Sequence, residues 1–81
     1  MGYHKKHIDK GQVGEFSKIK EECLELEDAL EQGVKIMAAV ELSDLYGAME
    51  AFAKKHFNLT MEDVKKMSDK TKQAFNDGSR R

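Results

Sequence analysis

A single cysteine in an 81-residue chain limits the ways this protein can hold itself together. Chains of this length bury only a small core and lean on disulfides, a bound metal or oligomerisation. Cys23 has no second cysteine to pair with, so an intrachain disulfide is excluded. Metal binding and self-association are left as supports. The lone thiol also fits a reducing, cytoplasmic setting. Proline and tryptophan are absent and aromatic residues make up 7% of the chain, a thin vocabulary for sheets. Ala, Leu, Met, Glu and Lys dominate, and these favour helix. The expected fold is therefore all-α, a single helical bundle.

The charge balance narrows the function. Charged residues are 36% of the chain, yet the formal net charge is -1. That is not the basic excess of a nucleic-acid binder. No apolar run approaches the roughly 18 residues of a membrane helix, and Met1 to His7 lacks the apolar stretch of a signal peptide.

Punctuation divides the chain into a polar leader over 1–12, a helical domain over 13–78 and a basic tail over 79–81. A first helix is expected from Val13 or Gly14 to Gln32, with Gly33 as its stop. Phe16, Ile19, Cys23, Leu26 and Leu30 recur at spacings of one helix face and predict its buried stripe. A second, more apolar helix is expected from Val34 or Lys35 to His56 or Phe57. A third starts at Thr60, a good N-cap, with Glu62 and Asp63 suited to the positive end of the dipole, and stops at Gly78. The short connectors predict antiparallel neighbours.

Two acidic pairs carry the chemistry. The first helix holds Glu21-Glu22-x-x-Glu25 and the second Glu41-x-x-Asp44. Residues three apart on a helix are neighbours, roughly 5–6 Å apart at Cβ. At about 100° per residue, Met37, Glu41, Asp44, Ala48 and Phe52 share one face of the second helix. Glu41 and Asp44 thus sit in the middle of an apolar face. Glu22 flanks the stripe of the first helix, Glu25 lies further round, and Glu21 points to solvent. Clustered carboxylates on a buried face must bind protons, pair with cations or hold a metal. No Lys or Arg is near them on the second helix, and Lys55 is too far along it. A hard divalent cation is the natural compensation, Mg²⁺ above all and Mn²⁺ in its place. No Cys/His cluster of zinc spacing competes. Glu21, Glu27, Asp28 and Glu31 read as a solvated face, His4 and His7 as leader residues without a role, Cys23 as a small core residue and the methionines as packing.

Glu21-Glu22-x-x-Glu25 followed by Glu41-x-x-Asp44 resembles the EExxE…ExxD signature of the MazG-like, all-α nucleotide pyrophosphohydrolases. The stretches Lys18 to Leu26 and Val40 to Ala48 resemble that family's two metal-binding helices. Thr71 to Arg80 is similar to the ending of its short, phage-encoded members. The resemblance spans residues 13 to 81. It implies that Glu22, Glu25, Glu41 and Asp44 are the metal ligands, that a (d)NTP or related nucleotide is hydrolysed to monophosphate and pyrophosphate, and that a second subunit completes the bundle as a dimer or tetramer. Glu25, at the edge of the site, is the candidate general base, and Lys72 and Arg80 are candidate phosphate contacts. The alternatives are a non-enzymatic helical interaction module and a related activity on phosphoribosyl-ATP.

Overall fold

The structure, a computed structural model, describes residues 4–78. It contains three helices, α1 (Phe16–Gln32), α2 (Lys35–Phe57) and α3 (Met61–Asn76), and no strand among the described residues. No helix among them is long and apolar enough to cross a membrane.

Three of the helix boundaries have a clear local cause. Gly33 takes the left-handed conformation, φ 74°, and its N–H donates to the Leu30 carbonyl while that of Val34 reaches the Ala29 carbonyl. A side chain at Gly33 would be strained there, so the sequence stops α1 as expected. Asn58 ends α2 in the same way at φ 55°, tolerated because Asn is one of the few L residues that visit this region. Thr60 caps α3 with its hydroxyl on the Asp63 N–H, and the Asp63 carboxylate accepts the Thr60 N–H in return. This reciprocal pair satisfies two otherwise orphaned donors.

α1 and α2 pack as a hairpin. Glu15, just before α1, spends its carboxylate on Lys55 and His56 near the far end of α2 rather than on a helix cap. The Lys55 ammonium holds the Glu15 carboxyl below its usual range. Phe16 meets Phe52 edge-on at 6.2 Å, fastening the same end.

The interior is made of alanine and acid. Ala29, Ala38, Ala48 and Ala53 are the buried apolar side chains among the described residues, beside buried Glu21, Glu22, Asp28 and Glu41. The predicted stripe of α1 does not form a core. Ile19 and Leu26 are half-buried, whereas Phe16, Cys23 and Leu30 are exposed. The face that α1 turns to α2 is the one carrying Glu22, Glu25 and Ala29, about a quarter turn away from the stripe. α3 also departs from expectation. It does not lie along α2 as an antiparallel neighbour, and none of its residues is buried. Val64 and Met67 instead form one wall of an apolar groove that also includes Ile19, Met49 and Phe57.

The leader is an ordered strap over residues 4–15, running back along α1. The N–H groups of Lys5, Gly11 and Gln12 donate to Asp28, Glu21 and Ser17 in turn. Gly11 is required by closeness: a Cβ there would stand 2.3 Å from the Ser17 carbonyl oxygen.

Candidate metal centre

The hairpin and the strap converge on one set of carboxylates. Glu41, one turn past Ala38 on α2, is fully buried. Glu22, on the face of α1 toward α2, is also buried, and Glu25, one turn on, is half-buried. Carboxylate oxygens of Glu22, Glu41 and Asp44 lie within 4.8 Å of one another, and so do those of Glu21, Glu22 and Glu25. The four acids expected as ligands are thus brought into two overlapping groups. Asp44 corrects one detail. It was expected in the middle of a buried face, yet it is exposed, at the rim of the cluster it forms with buried Glu22 and Glu41.

Two acids expected in solvent are buried. Glu21 accepts the Gly11 N–H at 2.8 Å and the Lys18 ammonium at 3.0 Å. Burial alone would raise its pKa, but these donors outweigh it and hold Glu21 below its ordinary range. Asp28 receives His4, the Lys5 N–H and Gln32 on a single oxygen, Oδ2, at 3.0, 3.2 and 2.9 Å. The His4 hydrogen bond is the main reason its carboxyl is held low. The exposed-face expectation failed for both acids because the strap occupies the side of α1 that a wheel assigns to water.

His4 is the residue the sequence reading missed. Its Nδ1 faces Asp28, and its Nε2 lies 2.9 Å from Glu41 Oε2 and 3.5 Å from Glu25 Oε1. Burial pulls the imidazole pKa down, but the hydrogen bonds to Asp28 and Glu41 and the field of Glu25 raise it overall. No sequence spacing links residue 4 to residues 28 and 41, so periodicity held no signal for it. Glu25 itself is pushed up to about 7, first by burial and then by its acidic neighbours Glu21, Glu22 and Glu41.

The donor set is one that suits a hard divalent cation. Glu22 Oε1 is buried with no hydrogen-bond partner, although Lys18 lies 3.3 Å from the other oxygen. A buried carboxylate oxygen without a donor is costly unless a cation meets it. Oxygen ligands from several carboxylates suit Mg²⁺ or Mn²⁺. The residues present therefore fit such an ion. Lys6, Lys10 and Lys18 border the same region and line a polar pocket with His4, Glu21 and Glu25. Lys72 lies elsewhere, exposed on α3 in the field of Asp69. Arg80 and the rest of the basic tail lie outside the described residues.

Comparison with family models, curated proteins and solved structures finds no match to this chain.

Proposed function

We propose that this protein is a Mg²⁺- or Mn²⁺-dependent nucleotide pyrophosphohydrolase of the MazG-like type, cleaving a nucleoside triphosphate or related nucleotide to monophosphate and pyrophosphate. The observation that carries the reading is the burial of Glu22 and Glu41 between two helices, with Glu22 Oε1 left without a donor. Glu22, Glu25, Glu41 and Asp44 would hold the cation. When bound, it supplies Lewis-acid activation of water and neutralises charge growing on the phosphate oxygens. Lys6, Lys10 and Lys18 attract the phosphates to a site that is otherwise strongly acidic. Glu25, at the edge of the site, is the candidate to accept the proton of the attacking water.

A nucleotide panel with Mg²⁺ tests the reading. Equal amounts of monophosphate and pyrophosphate are the expected products. Release of inorganic phosphate would mean attack at a different phosphorus, and no turnover of any nucleotide would favour the interaction module. That second reading draws on exposed apolar side chains such as Ile36, Leu42, Phe57, Met67 and Phe75.

The same residues underlie a proposed homo-oligomer. Buried methyl groups contribute roughly 0.8 kcal/mol each, so four alanines stabilise this hairpin only weakly. A second copy that covers the exposed apolar faces would supply the missing core. Light scattering is expected to give an even multiple of the 9.2 kDa chain mass. A stable monomer at micromolar concentration would contradict it.

A further inference from the structure

The strap already supplies the acidic centre with a positive charge. Each ring nitrogen of His4 meets a carboxylate oxygen: Nδ1 stands 3.0 Å from Asp28 Oδ2, and Nε2 stands 2.9 Å from Glu41 Oε2. An ionised carboxylate only accepts, so both nitrogens donate and the ring is an imidazolium. Glu25 Oε1 lies 3.5 Å from the same Nε2. The compensation that buried acids require thus comes, on this side of the cluster, from the chain itself.

That arrangement closes these oxygens to a second cation. A ring nitrogen that carries a proton has no lone pair to offer an ion. The Nε2 proton is directed at Glu41, with Glu25 beside it, and these are two of the four side chains assigned to the ion. A divalent cation on the same oxygens would meet an imidazolium of like charge at close range.

The strap is fastened at two separate places. At one, His4 and the Lys5 N–H both rest on Asp28, and Lys6 pairs with Glu31. The Lys6 pair is half-exposed, and such pairs contribute little, so Asp28 is the main fastening. At the other, Gly11 lies against the Ser17 backbone, with its N–H on Glu21 and the Gln12 N–H on Ser17. Between them His7, Asp9 and Lys10 are exposed, and His7 pairs with Asp9 inside the strap. Residues 4–10 can therefore swing away while the Gly11 end stays in place.

We propose that the strap is an autoinhibitory plug: with His4 seated on Asp28, Glu41 and Glu25 the centre is closed to divalent cations, and residues 4–10 must lift off Asp28 before an ion can be held. The inference rests on the metal-dependent reading above and adds a gate to it. Only the open fraction of molecules is competent to bind, so the apparent affinity for the ion is lowered by that fraction.

Mg²⁺ alone, titrated into the 81-residue chain, is the test, read by calorimetry and by amide hydrogen exchange. His4→Ala and Asp28→Ala are each expected to bind Mg²⁺ roughly tenfold more tightly than wild type, the gain expected if about a tenth of wild-type molecules are open. Asp28→Ala is the sharper of the two. It removes a negative charge and no assigned ligand, so charge alone predicts weaker binding. In wild type, saturating Mg²⁺ should speed exchange at the Lys5 N–H by roughly tenfold, the same open fraction read at the amide, and leave the Gly11 N–H unchanged or slower. This second measurement needs no variant and stands even where a substitution unfolds the chain. If folded Asp28→Ala binds Mg²⁺ no more tightly than wild type, or if Mg²⁺ does not speed exchange at Lys5, the plug is overturned while the metal centre stands. If neither wild type nor either variant binds Mg²⁺, the metal-dependent reading falls and the plug with it.

Discussion

Glu41→Gln is expected to lower nucleotide hydrolysis by a factor on the order of 10² or more while the helices stay intact, since even an outer partner of a metal costs 10–100-fold. Glu41 is the common member of two groups. It stands with Glu22 and Asp44 on one side and with His4 and Glu25 on the other. The amide keeps the volume of a fully buried side chain, so packing is preserved. It removes the charge that a cation needs. A variant that turns over at the wild-type rate, with metal still required, would remove Glu41 from the site and with it the assignment of the whole cluster.

In EDTA, the melting temperature is expected to fall as pH rises from about 5 to about 8, and saturating Mg²⁺ should flatten that slope. Two groups set the direction. Glu25 has its pKa raised to about 7 in the folded protein. Below the unfolded value it is protonated in both states. As pH rises above that value, the unfolded chain ionises first and gains relative stability until the folded group also titrates. His4 is raised as well. Its stabilising contribution is complete below the unfolded histidine value and is lost as pH rises through the folded one. Glu21 and Asp28 are lowered, so their contributions are in place above the ordinary carboxylate range and are lost only in acid. A cation that binds only the folded state adds about 2.7 kcal/mol at a hundredfold excess over Kd. Melts at fixed protein concentration check this. A flat or rising profile in EDTA would mean that the cluster is compensated internally.

Much of the backbone was legible in the sequence because the signals are local. Gly33 and Thr60 mark their boundaries through conformations and caps that involve only nearby residues. Asn58 was not read as a stop, since the left-handed turn there carries no glycine. Spacing made one acidic pair legible within each helix, whereas the joining of Glu22 and Glu25 with Glu41 and Asp44 was what the family resemblance implied. What spacing cannot encode is a contact between distant segments. His4 reaches across 24 residues to Asp28 and 37 to Glu41. That docking reverses the expected exposure of Glu21 and Asp28. The outward stripe of α1 and the splayed α3 were missed for a related reason. Periodicity finds an apolar face but does not say which neighbour takes it.

On the proposed metal-dependent reading, the alanines that separate α1 from α2 would act as a gauge for the ion. Ala38 precedes Glu41 by one turn, Ala48 follows Asp44 by one turn, and Ala29 follows Glu25 by one turn. Helix axes approach as closely as the side chains between them permit. Short side chains at these places therefore set how far apart the opposing carboxylates stand. Small cations demand short, nearly fixed bonds, and larger ones accept wider and looser shells. Lengthening any of these side chains would widen the gap and shift preference toward an ion the size of Ca²⁺, with every ligand still present. Ion choice in such a centre would thereby be written in residues that never touch the ion.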